Sequence, residues 1–471
     1  MRLIIEARLE GSAATSTTSS TVVAVLDRQD ESLADLGLTL AEGRALLAEV
    51  QATLVSHQAA TWMAGHLACR RCGAALAHKY RRVIVLRTAF GKVELPSPRM
   101  WACRCASRQG QARRTVSPQC KAVPRRLTAE LEYLQARWAA HLPFRQTTAL
   151  LREILPLDVG ISASSTRRTT LAVGKALNVQ IEHEIASARK LVDDAPARES
   201  TSVGSVSVDS AWLHFSSSPR GREAARALRE LMSPCAQRCV QERHVNIVAG
   251  RATFVDRAPR LYAYVHKQVP SAAARLDQFL SRSGVQPDER VTVICDDAGE
   301  FEKAVAGSRL SRGKILDWFH IAMKFKAAQN SVFGSATIEP LERAEVTNEL
   351  DSAKWLVWHG KGGKSVARIK ALDAALLARE GYEDSTLWWN LRRLYFYLQN
   401  NVGTLPNYGA RYRKGLPISS SIAESAVNQV VSHRMAKKQQ MRWTDEGAHC
   451  LVRSRFAFGS RRQGASPRAL H

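Results

Sequence analysis

Between Ser205 and Trp318 the chain changes its hydrophobic period several times, and the order of those changes limits the fold more than any other feature. Ser205–Phe215, His244–Val255 and Leu261–His266 read as strands, and Ser271–Ser283 reads as a helix. Val291–Cys295 is a short continuous apolar strand, and Lys314–Trp318 is another strand. Three strands, a helix, a strand and a further alternating element make an α/β segment. Ahead of it lie a strand at Leu3–Leu9, a Ser/Thr-rich loop at Gly11–Thr21, and a helix from about Leu38. In that helix Leu46, Leu47, Val50 and Leu54 recur at three- and four-residue steps, while Gly43 weakens its start. Two strands turning at Gly91 follow, then helices from Pro118 to about Leu191, then a linker at Ala195–Gly204. Beyond Ile321 a Trp- and Arg-rich helical region runs to about Tyr412, a helix covers Ser419–Met435, and a basic tail starts near Phe458. No internal repeat is visible.

The 471 residues predict two to four domains. Their composition, 45% hydrophobic and 24% charged, is globular and excludes wholesale disorder. No apolar run reaches eighteen residues, and the first ten residues lack a signal-peptide layout, so a soluble intracellular protein without membrane attachment is expected. Lys and Arg number 68 against 43 Asp and Glu, a net charge of +25. Such an excess calls for a polyanionic partner, nucleic acid above all, because each phosphate neutralised releases a counterion. A ribosome-adhering or merely basic protein is the plainer alternative.

Three acids stand where metal chemistry needs them. Asp209 lies in the strand-like run SVSVDSAWLHF, and Asp296 directly follows the apolar strand in VTVICDDAGEF. Carboxylates at strand C-termini of open α/β sheets fall in the crevice where ligands and metals bind. Asp297 suits a helix N-cap better than a metal ligand. Glu424 flanks an apolar stripe of Ile422, Ala423, Ala426, Val427, Val430 and Val431, with serines before it to cap a helix. Each acid alone reads as a turn, cap or surface residue. In this order, on an RNase H-like layout in a basic chain, the three read as a site for two Mg²⁺ (or Mn²⁺) ions that transfers phosphoryl groups.

The chain resembles the DDE transposases of bacterial insertion sequences, specifically the ISKra-type group. The resemblance runs through LGLTLAEGRALLAEVQ (Leu36–Gln51), CRRCG (Cys69–Gly73), LRTAFGKVELPSPR (Leu86–Arg99) and VDSAW (Val208–Trp212). It continues through ICDDAGEF (Ile294–Phe301), ILDWFHIAMKF (Ile315–Phe325) and SIAESAVNQVVSHRMAKKQQMRW (Ser421–Trp443). It implies Asp209, Asp296 and Glu424 as the catalytic, metal-binding triad. Relatives tend to carry Asp-Gly where this chain has Asp296-Asp297, so either aspartate can be the second ligand; Asp296 is favoured because the apolar run ends on it. Asp317 and His320, one helical turn apart, match the family's Cys/Asp-x-x-His element and are accessory residues. Asp209, Asp317 and Glu424 form the rival triad. The resemblance further implies a cytoplasmic, nucleoid-associated bacterial enzyme that acts on double-stranded DNA as a homo-oligomer.

Cys69 and Cys72, with Cys103 and Cys105, make two close pairs around the strand pair, the spacing of one structural Zn²⁺ in a ribbon-like module. Cys120 is a substitute ligand; Cys235 and Cys239 read as helix or loop, and Cys295 as strand core. Arg70, Arg71 and Arg104 in the knuckles, and Arg434, Lys437, Lys438 and Arg442 after Glu424, are candidate DNA contacts, with a solvated surface as the alternative. The GKGGKS stretch at Gly360–Ser365 is not a P-loop, because its first glycine would have to be Trp358 and no strand precedes it. Trp355, Trp358, Trp388 and Trp389, at helical spacing, read as core ahead of base-stacking platforms.

The organisation expected is an N-terminal strand and helical region (1–65), a zinc-ribbon-like module (66–117) and a helical DNA-binding region (118–195). An RNase H-like α/β core follows (205–325), interrupted by a helical insertion (326–415) and completed by a helical part (416–457), with a basic tail (458–471). The expected function is Mg-dependent DNA cleavage and strand transfer. The alternatives are a non-catalytic zinc-ribbon DNA-binding protein, or an RNase H-like nuclease or resolvase without strand transfer.

Overall fold

The computed structural model describes residues 1–9, 19–28, 36–106, 114–123, 125–188, 198–199, 203–215, 243–254, 259–296, 299–420, 435 and 444–459. Among them are thirteen α-helices and a mixed β-sheet, and no helix is long and apolar enough to cross a membrane. The chain divides into two compact units between Val173 and Gly174.

In the first unit β1 (Arg2–Leu9) pairs antiparallel with β2 (Ser19–Asp27), with a bulge at Ile5/Glu6. The loop expected through Thr21 therefore gives way to a strand from Ser19. Its Val22, Val23 and Val25 favour extended backbone once β1 is there to pair with. Helix α1 (Leu40–Ala64) begins at a capping box: Thr39 Oγ1 accepts the Glu42 N–H, and Glu42 accepts the Thr39 N–H. Arg28 lies 2.7 Å from Glu42 and, with the Thr39 N–H, holds that carboxyl down at about 2. This cap offsets the cost of Gly43 in the first turn. Ala52, Val55 and Ala59 of α1 pack on Ile84, Leu86, Val93 and Leu95 of a hairpin formed by β4 (Val83–Thr88) and β5 (Gly91–Pro96). The hairpin turns at Gly91, whose φ of 111° needs a residue without Cβ. A second small sheet has the order β3-β6-β7, from His78–Tyr80, Arg99–Trp101 and Thr115–Val116. Helices α2 (Pro118–Ala122), α3 (Ala129–Ala139) and α4 (Phe144–Ile154) follow, and α5 (Ala163–Ala188) runs on into the second unit.

The second unit is built on a sheet of β9 (Val203–Phe215), β10 (Arg243–Phe254), β11 (Arg260–Val265), β12 (Glu289–Cys295) and β13 (Ser311–Leu316), ordered β11-β10-β9-β12-β13. The first three strands pair antiparallel, whereas β12 runs parallel to both β9 and β13. A two-residue strand, β8 (Arg198–Glu199), pairs with the start of β12 inside the stretch expected to be linker. Side chains alternate between the faces. Val206, Val208, Val248, Val291 and Val293 meet α6 (Ala272–Arg282) and α7 (Gly299–Ala306) through Leu276, Phe279, Leu280 and Val305. Ile247, Ala249, Ala263 and Val265 meet Ala448, Leu451 and Val452 of the last described helix, α13 (Asp445–Gly459). Gly250 lies beneath Tyr262, where a Cβ would come within 2.0 Å of the ring.

From β13 the chain enters a ring of four helices: α8 (Trp318–Phe333), α9 (Arg343–Trp358), α10 (Gly362–Leu376) and α11 (Thr386–Asn400). Each packs on its two neighbours, and Phe325, Leu350, Val357, Ile369, Leu391, Leu394 and Leu398 fill the centre. A short α12 (Tyr408–Arg413) adds Tyr408, whose hydroxyl donates to the Leu316 carbonyl at 2.9 Å. The GKGGKS stretch turns α9 into α10: Gly360 takes a φ of 73°, and the Lys361 N–H closes back on the Leu356 carbonyl at 2.8 Å. Ser365 is buried and donates to the Ala353 carbonyl, so it caps a packing contact and cradles no phosphate. The tryptophans divide: Trp358 and Trp388 pack on the core, while Trp355 and Trp389 are 51% and 55% exposed. The chain leaves the sheet at Asp317 and returns beside it, with the Trp318 N–H donating to the Ile418 carbonyl at 3.0 Å.

Candidate functional site

The first knuckle is shaped by its own backbone. Gly73, with φ of 73°, donates to the Cys69 carbonyl at 2.8 Å, and the Cys69 N–H donates to the Ala74 carbonyl at 2.8 Å. That turn brings Cys69 and Cys72 to one side. Cys103 and Cys105 come from the end of β6 and a single 3₁₀ turn at Arg104–Ala106. All four Sγ atoms lie within 4.8 Å of one another, with Cys69 and Cys105 at 3.5 Å and Cys72 and Cys103 at 3.4 Å. Tetrahedral Zn–S bonds of about 2.3 Å set sulfurs about 3.8 Å apart, so the four cysteines could hold a zinc ion. The electrostatics agree. Backbone N–H groups of Arg71 and Cys72, with the Cys105 thiol, lower the Cys69 thiol to about 6. Hydrogen bonds with Cys72, Cys103 and Cys69 push Cys105 up to about 12. One thiolate forms readily here, and four together need a dication to share their charge. Cys120 takes no part; it sits by Ser97, at 3.7 Å, under the α1 hairpin core.

The knuckle arginines are partly engaged in the module itself. Arg71 donates to the Cys105 carbonyl at 3.0 Å, bracing one knuckle on the other, and Arg70 meets His66 Nε2 at 2.5 Å. Arg104 lies in the exposed 3₁₀ turn. The exposed basic edge strand β3 was missed in sequence. Its Lys79 ammonium stands 4.3 Å over the Trp101 ring, and Arg81 and Arg82 follow in the open. The alternation of basic and aromatic residues was the signal that could have found it.

In the second unit the register brings the middle of β9 level with the ends of β12 and β13. Ile294 of β12 is level with Ser207 of β9 and with Ile315 of β13. Two residues further along these three parallel strands come Asp209, Asp296 and Asp317. Asp209 is placed through its backbone, opposite Ala249 of β10, and Asp296 is the half-buried residue that follows β12. Asp317 has a different character. It is fully buried and caps α8, accepting the Phe319 N–H at 2.8 Å, His320 Nδ1 at 3.1 Å and the Ser420 hydroxyl. Burial pushes its carboxyl up, and the hydrogen bonds from His320, Ser420 and Phe319 outweigh it, leaving the group below its ordinary value. Both oxygens are thereby occupied holding protein groups. The Asp317 N–H donates to the Cys295 carbonyl at 3.0 Å, which ties the cap to the residue before Asp296.

Asp297, Glu424, Arg434, Lys437, Lys438 and Arg442 lie outside the described residues, as do Cys235 and Cys239. No family model matches the chain, and no curated protein is significantly similar to it.

Proposed function

We propose that the chain is a DNA transposase of the DDE type, which binds the ends of a mobile element, cuts phosphodiester bonds and joins 3′ ends to a target. One observation carries the reading: Asp209 in the middle of β9 and Asp296 just past β12 are level on neighbouring parallel strands, in a sheet of order 3-2-1-4-5 with its first three strands antiparallel. That strand order supports an RNase H-like reading, and the crevice past a strand's carboxyl end, where Asp296 lies, is where an open α/β sheet binds its ligands. Asp209 and Asp296, joined by Glu424, offer the hard oxygen donors suited to two Mg²⁺ or Mn²⁺ ions. Bound there, the ions supply activation of an attacking oxygen and stabilisation of a leaving one.

The chain's own residues have the remaining tasks. Asp317, with both oxygens occupied, orients His320 and pins the returning segment at Ser420, so Asp296 is the better second ligand. The zinc module and its basic edge strand present charge to duplex DNA. The test is strand cleavage and end joining on DNA carrying the element's terminal repeats. Asp209→Asn, Asp296→Asn or Glu424→Gln should abolish cleavage and leave end binding within about twofold. Wild-type cleavage by any of the three overturns the triad. Cleavage without joining points to a nuclease or resolvase, and binding indifferent to Mg²⁺ with no cleavage points to a non-catalytic DNA-binding protein.

A further inference from the structure

Helices α8 and α11 pack side by side, and between them opens a pocket lined by His320, Met323, Lys324, Asn390, Arg393 and Leu394. Three of these residues offer nitrogen donors of a basic side chain, one an amide, and two an apolar surface. Outside the pocket the same helices show aromatic rings to solvent. Trp389, Arg393 and Phe396 fall at i, i+4 and i+7 on one face of α11, and Trp389 and Phe396 are 55% and 51% exposed. Lys324 Nζ stands 4.3 Å from the Tyr397 ring, so its ammonium is held at the pocket wall. Basic groups in a pocket with apolar sides, flanked by open aromatic faces, match the chemistry of a nucleotide unit in a single strand: an anionic phosphate beside a planar base.

The pocket is tied to the strand ends through its imidazole. Asp317 holds His320 Nδ1, which leaves Nε2 as the nitrogen directed away from the cap. Asp317 in turn follows Cys295 and Asp296 by one step across the sheet. One strand spacing and one helical turn therefore separate the backbones of Asp296 and His320, at most about 10 Å, or a few nucleotides along a DNA strand.

We infer that this pocket holds the phosphate and adjoining base of a single DNA strand near the one being cut. Lys324 and Arg393 grip the phosphate with His320, and Trp389 or Phe396 stacks on the base. The role beside a cut phosphate rests on the transposase reading; the nucleotide pocket itself does not. The probe is a 5′-phosphorylated thymidine dinucleotide carrying 4-thiothymine, photocrosslinked to the full chain without added Mg²⁺ or Mn²⁺, with adducts mapped by mass spectrometry. A dinucleotide is too short to report extended basic surface, and omitting those ions removes metal-dependent cleavage. Adducts should form on peptides from 318–333 or 386–400. Arg393→Glu should cut their yield about tenfold, Trp389→Ala severalfold, and Arg393→Lys should restore most of it. Asp296→Asn should leave the yield unchanged. Adducts elsewhere, or a yield indifferent to Arg393→Glu, overturn the proposal. Adducts here in a protein that cuts no DNA uphold the pocket and remove the transposase reading, whereas cutting with no adduct here does the reverse.

Discussion

His449 shows how a single buried group sets a pH dependence. It lies on α13 beneath the sheet, and its Nδ1 accepts the Val265 N–H at 3.2 Å, so the ring's proton resides on Nε2. Burial, with the Arg275 charge nearby, lowers its pKa to about 4 from the ordinary 6.5. The unfolded chain then takes up a proton between pH 6.5 and 4 that the folded chain refuses. Stability is full above 6.5 and falls as the pH drops toward 4, by about 3 kcal/mol in all. Hydrogen exchange at the Val265 amide should accelerate between pH 7 and 5 at matched intrinsic rates, and His449→Asn should flatten that dependence. An unchanged slope in the variant would assign the effect to another group. Nothing in the sequence around His449 marks it, since burial and a partner 184 residues away decide its state. The place of Asp296 just past β12 was legible because an apolar run ends on it. The engagement of Asp317 with Ser420 was not, because that partner arrives from beyond the helical ring.

At the scale of elements, local chemistry was readable and pairing was not. The cysteine knuckles and the Ser271 cap of α6 follow from residues a few positions apart. Strands β2 and β8 owe their existence to partners, β1 and β12, and carry weaker signals of their own. The β3-β6-β7 sheet lies beside the knuckles and depends on them. Strands of three, three and two residues bury too little to stand alone. Purified protein should hold close to one zinc per chain, and Cys69→Ser should lower that content. Chelation should abolish amide protection at Trp101 and Ala102, which donate to the Ala77 and Arg114 carbonyls, while the β4–β5 hairpin keeps its own. A metal analysis without zinc would dismiss the site.

For the whole molecule, the proposed function predicts that the charge of +25 governs association with DNA. Each phosphate neutralised contributes about −0.9 to the slope of log affinity against log salt, so a slope steeper than about −4 is expected for duplex DNA. Replacing Lys79, Arg81 and Arg82 together by Ala should make it shallower by about 2 to 3. A slope shallower than about −2 for the parent chain would mean that its basic surface does not engage the duplex. Net charge could be counted from sequence, but its distribution required the fold that exposes β3.

One further consequence belongs to the place where the four helices leave the sheet. Their first residue bonds to Ile418, and Asp317 bonds to Ser420, so the excursion begins and ends at a single doorway. Within the excursion the Tyr408 hydroxyl also bonds to the Leu316 carbonyl and Lys314 to Asn401, so the last strand is braced from inside as well. The turns that join α9, α10 and α11 carry no strand pairing, so a change of length there should leave the ladder hydrogen bonds of the sheet in place.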